Sequence, residues 1–139
     1  MSIEEDDAEE QAMANELAVL RAERSGRVDE LEGDALDYLV WCAENGRDPK
    51  DQSVAAWAAE NDYGFHPSKL WEHGGPIIER EGICLVYWGD VAGWEADIYP
   101  KGMEDLHDWS YADSAVARTP LVAAMRCYVK SKFGEKVPL

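Results

Sequence analysis

Ile83-Cys84-Leu85-Val86-Tyr87-Trp88, Gly89-Asp90-Val91-Ala92-Gly93 and Trp94-Glu95-Ala96-Asp97-Ile98-Tyr99 follow one another without a break. Two runs rich in aromatic and β-branched residues, joined by a short segment with glycine at each end, describe a β-hairpin over about residues 83–99. In the second run Trp94, Ala96 and Ile98 alternate with Glu95, Asp97 and Tyr99, which makes one face apolar and the other largely acidic. The sheet is therefore half covered. The periodic segments around it are helical, so the chain reads as α+β, a small antiparallel sheet packed against helices.

The helix at about residues 119–133 is the plainest of these. Thr119 caps it, Pro120 takes its first position, and Leu121, Val122, Met125, Tyr128, Val129 and Phe133 form a wide apolar face that ends at Gly134. A second helix spans about residues 31–44, where Leu36, Leu39, Val40 and Ala43 make the inward stripe and Gly46 stops it. Tyr38 and Trp41 fall beside that stripe. Ser53 offers a cap for a short helix through Ala59, although the alanine-rich stretch around Trp57 also fits a poor strand. After His66-Pro67, Ser68 offers a cap for a single helical turn through Trp71; Gly74-Gly75 breaks it, and Pro76 opens the next turn with Ile77 and Ile78 facing inward. Lys101 to Ala117 lacks a steady period and reads as a long irregular loop carrying Glu104, Asp105, Asp108, Trp109, Tyr111 and Asp113. Ahead of the domain, Glu4 to Arg24 reads as an acidic helix with a thin stripe of Met13, Leu17 and Leu20.

A chain of 139 residues suits one domain with an appendage, and the sequence divides into an acidic extension, 1–27, and a globular domain, 28–139. Net charge is −16 and unevenly spread: −7 over residues 1–30, −13 over 31–116 and +4 over 117–139. Such a surface repels a nucleic-acid duplex, whose binding needs lysine and arginine to replace counterions, and attracts basic surfaces instead. There is no apolar run of transmembrane length, and the acidic first residues are unlike a signal peptide, so a protein of the cytoplasm with no membrane partner is expected. Cys42, Cys84 and Cys127 lie far apart in apolar stretches, which suits buried reduced thiols.

Gly74-Gly75-Pro76-Ile77-Ile78-Glu79-Arg80-Glu81-Gly82-Ile83 and Thr119-Pro120-Leu121-Val122-Ala123-Ala124-Met125-Arg126-Cys127-Tyr128-Val129 together resemble the NinX-like family of small bacteriophage proteins. In Val28 to Tyr38 the residues Leu31, Gly33, Leu36 and Asp37 match its opening pattern. The resemblance covers about Val28 to Val137. It implies a phage or prophage source, and hence the host bacterial cytoplasm, but no chemistry.

Catalytic constellations are not evident. No Cys-x-x-Cys pair, His-Glu-x-x-His helix, Gly-x-Ser-x-Gly elbow or phosphate-binding lysine loop occurs, so no metal, cofactor or enzyme activity is expected. Glu104, Asp105, His107 and Asp108 do not follow the calcium-loop spacing. Gly74 and Gly75, with free amides at a helix start, and Arg80 and Arg126, basic groups in an acidic molecule, form a candidate anion site. The simpler reading of the arginines is a clamp on carboxylates or carbonyls.

The function expected first is a non-enzymatic phage accessory protein. It would bind and modulate or inhibit a host protein with a basic surface, such as a defence or nucleic-acid enzyme, through an acidic nucleic-acid-mimicking face. Glu95, Asp97, Glu104, Asp105, Asp108, Trp109, Tyr111 and Asp113 are its contact candidates. The alternative is a protein that sequesters a signalling nucleotide through Arg80 and Arg126, alone or as a homodimer. A small enzyme is the third reading.

Overall fold

The computed structural model describes residue 10, residues 26–100 and residues 112–137. The expected N-terminal helix and Glu104, Asp105, Asp108, Trp109 and Tyr111 lie outside the described residues. Within them the architecture is α+β, with four α-helices and a three-stranded antiparallel sheet. In chain order these are α1 (Gly33–Asn45), α2 (Val54–Glu60), α3 (Trp71–Glu81), β1 (Cys84–Tyr87), β2 (Trp94–Ile98), β3 (Asp113–Ala117) and α4 (Pro120–Phe133), with short 3-10 turns at Val28–Glu30 and Pro49–Asp51.

Helix α4 is the organising element. Thr119 Oγ1 accepts the Val122 amide at 3.2 Å and Pro120 begins the helix, as the sequence predicts. Its residues Leu121, Ala123, Ala124, Met125, Cys127, Tyr128 and Val129 are buried, so it is apolar around most of its girth. The sheet packs on one side of it and α1 and α3 pack elsewhere on its surface. The hairpin register pairs Leu85 with Ala96 and Tyr87 with Trp94, and β3 continues the meander with Ala115 opposite Ala96. Ala96 and Ala115 are buried; such small residues let the sheet approach the helix closely.

Both ends of the described domain are clasped together. Val28 donates to Glu135 O at 3.0 Å and Val137 to Gly26 O at 2.8 Å. A Cβ on Gly26 would stand 1.5 Å from Val137 O, and its φ of +62° is in the left-handed region, so only glycine fits this closure.

Five expectations need correction. β3 lies where the sequence reads as loop, because Asp113-Ser114-Ala115-Val116-Ala117 has little strand propensity and is held by pairing with β2. Gly74-Gly75 does not break a helix: α3 runs through both glycines and through Pro76. A Cβ at Gly74 would come within 2.4 Å of Pro67 O and 2.7 Å of Leu121 Cδ2, so the glycine lets α3 press against the preceding turn and α4. Ser68 is not a cap; Leu70 holds the N-cap position of α3, with no side-chain cap bond there. Tyr38 is core rather than edge, since the 3-10 turn and α2 cover it and its hydroxyl is shared between Pro49 O at 2.8 Å and Gln52 O at 2.9 Å. Cys84 is exposed, because β1 is an edge strand and Cys84 sits on the sheet face opposite α4, whereas Cys42 and Cys127 are buried. Ser53 does cap α2, its Oγ accepting from the Ala56 amide at 3.0 Å.

Candidate functional site

The candidate anion site is dispersed by the fold. Gly74 N–H is bonded to Leu70 O at 2.9 Å and Gly75 lies within the helix, so the amides are not free at a helix start. Arg80, near the end of α3, forms a two-pronged pair with Glu44 of α1 at 3.1 and 2.7 Å, and also meets Glu81 at 3.2 Å and the Tyr128 hydroxyl at 3.3 Å. The bond to Glu44 raises the guanidinium pKa, which fixes its charge. Arg126 is spent differently: Nε donates to Leu31 O at 2.8 Å and a terminal nitrogen to Val116 O at 3.0 Å. Burial lowers its pKa. Because Arg126 and Tyr128 are two positions apart on α4, they project to nearly opposite sides of the helix. Arg80 and Arg126 thus clamp two different seams. Glu79 is exposed and takes no part in the Arg80 clamp.

The acidic face of the sheet is less open than its alternation suggests. Asp97 is fully buried; one oxygen accepts from Ser114 Oγ at 2.5 Å, and among the described residues Oδ2 has no partner while Glu95 is ionised. Glu95, half-buried two residues away, has its pKa raised, first by burial and then by its neighbour Asp97, whose charge opposes ionisation and whose oxygen can accept the Glu95 proton. Asp113, at the start of β3, is exposed. Of the described acidic candidates, Asp113 is open to a partner, Glu95 is partly so and Asp97 is withdrawn.

The hairpin turn presents something the sequence reading did not single out. Tyr87 is 51% exposed, Trp88 60% and Val91 104%. Tyr87 packs on Trp94 with ring centroids 5.0 Å apart and donates its hydroxyl to Asp90. Gly93, at φ +75°, allows the turn to lie against Ala117 O, which a Cβ would meet at 2.5 Å. The signal was present in the sequence: Trp88 and Val91 are apolar residues where turns are ordinarily polar.

A second polar constellation joins α1 to the turn before α3. Asp37 is fully buried in α1; its Oδ1 accepts the Ser68 amide at 2.9 Å and its Oδ2 faces His66 Nδ1 at 3.3 Å. Asp34, one turn earlier and exposed, adds a carboxylate, and one ligand atom from each of Asp34, Asp37 and His66 lies within 4.8 Å of the others. The His66 amide donates to His73 Nδ1 at 2.9 Å, which holds the 66–73 segment in shape. Sequence spacing hides this group because His66 is remote in the chain. Asp37 beside Leu36 and Tyr38, an acid at the border of an apolar stripe, is the one visible hint.

No helix among the described residues is long and apolar enough to cross a membrane. No curated protein matches the chain. Residues 27–132 match the family model described as Bacteriophage P22, NinX, and include all three segments on which the resemblance rests. The continuous α3 through Gly74-Gly75-Pro76 and the capped start of α4 fall within that match, and the chain belongs to the bacteriophage P22 NinX family.

Proposed function

We propose that this protein is a non-enzymatic phage accessory factor that docks on a basic surface of a host protein in the bacterial cytoplasm and modulates it. The observation that carries this reading is the exposed hairpin turn, where Tyr87, Trp88 and Val91 stand beside Asp90. Tyr and Trp are residue types of an interface hot spot, where apolar burial supplies affinity, and a neighbouring carboxylate adds encounter rate with a basic partner. The net charge of −16 favours a basic partner. Nucleotide sequestration by Arg80 and Arg126 has less support, since both guanidinium groups are already engaged within the fold.

Affinity capture from host lysate, with wild type and a Trp88→Ser/Val91→Ser variant compared at low and high salt, tests the proposal. The expected result is a host protein retained by wild type, released as salt rises, and reduced at least tenfold with the variant. A variant that stays folded and captures the same protein equally well would remove the hairpin turn as the docking element. Absence of any salt-sensitive partner with wild type would overturn the docking function.

A further inference from the structure

We infer that Asp34, Asp37 and His66 form a binding site for one divalent transition-metal cation of the zinc class. A fully buried carboxylate requires compensation, and no lysine or arginine among the described residues pairs with Asp37. Its partners are one amide and one imidazole, while Asp34 brings a second carboxylate to the same place. Two carboxylates and one imidazole carry two negative charges when the imidazole is neutral. A divalent cation balances both.

The geometry agrees with that charge count. The 3.3 Å between His66 Nδ1 and Asp37 Oδ2 is long for a charge-assisted hydrogen bond. It fits two ligand atoms about 2.0–2.1 Å from one tetrahedral ion, which stand roughly 3.3–3.4 Å apart. Asp34 is exposed at the start of α1, one helical turn from Asp37, and its oxygen already lies within 4.8 Å of the other two ligand atoms. The Ser68 amide on Oδ1 fixes the Asp37 carboxylate, the outer-shell restraint that metal-ligating carboxylates ordinarily have.

An independent observation comes from Ser68 itself. Its side chain is buried, its Oγ has no hydrogen-bond partner among the described residues, and its own amide sits on Asp37. A buried hydroxyl without a partner is costly, and a water carried by a cation at Asp37 offers it one. Imidazole with two carboxylates suits zinc, manganese or cobalt better than calcium, which prefers six or more oxygens. Three protein ligands leave a coordination position for that water.

Titration of the full-length, chelator-stripped protein with Zn2+, followed by calorimetry and by thermal melting, is the test, and Co2+ absorption reports the ligand geometry. Wild type is expected to bind one equivalent and to melt at higher temperature when loaded. Asp34→Asn, on the exposed side of the helix, keeps the fold and weakens binding at least tenfold, and His66→Gln does the same; Asp62→Asn, an exposed carboxylate outside the cluster, leaves it unchanged. Asp37→Asn is uninformative alone because it also disturbs a buried contact, so Asp34→Asn decides. Lack of a saturable site in wild type, or unchanged affinity in Asp34→Asn, overturns the assignment.

Discussion

The three thiols show how little residue type alone determines reactivity. Cys127 sits on the buried side of α4, donates to Asp113 O, and is pushed up to about 12 by burial. Cys42 is buried in α1 and its pKa is raised for the same first reason, whereas Cys84 is exposed on the edge strand β1. Since the thiolate is the nucleophile, a disulfide reagent such as Ellman's should label one thiol rapidly in the native protein. Cys84→Ser should abolish that fast phase, and the other two thiols should react only as the protein unfolds. Two fast thiols in the wild type would place Cys42 or Cys127 differently from the packing described above.

At the scale of one element, α3 joins family motif to packing through two adjacent glycines with unlike roles. Gly74 is in contact with Pro67 and Leu121 at distances that exclude a methyl group, while a Cβ on Gly75 meets nothing within 4 Å. Gly74→Ala should therefore cost roughly 1–3 kcal/mol by overpacking, and Gly75→Ala should add about 0.5–1 kcal/mol through better helix propensity. Urea denaturation of the two variants checks both signs. The same element marks the limit of what the sequence makes legible. Helix α4, the stripe of α1, the cap of α2 and the hairpin follow from periodicity and local chemistry, which depend on near neighbours. The glycines of α3 read as a break because their reason is a contact with residues distant in the chain, and β3 reads as loop because its partner β2 supplies its order. The candidate sites follow that division. Trp88 and Val91 are locally conspicuous, whereas Asp34, Asp37 and His66 converge only through the packing of α1 against the 66–73 segment.

Across the whole molecule, a net charge of −16 means that the folded state concentrates like charge, so screening and mild acid should both stabilise it. Glu95 gives this dependence a specific component. Its pKa is raised in the folded protein above the ordinary value of 4.5, so the native state holds this proton more tightly than the unfolded chain does. Its contribution to stability is therefore fully present below about pH 4.5 and is lost as pH rises through the folded value. Glu95→Gln removes the ionisable group while keeping the shape and a donor for Asp97. The variant should melt about 1–4 °C above wild type at pH 7.5, the scale of a relieved like-charge contact in a domain of this size. Sodium chloride should raise the melting temperature of both proteins, but the difference between them should persist at high salt, because a partly buried pair is screened less than the surface. Towards pH 4.5 the two melting curves should converge. A difference that stays constant from pH 4.5 to 7.5 would mean that Glu95 acts through packing rather than through its charge beside Asp97.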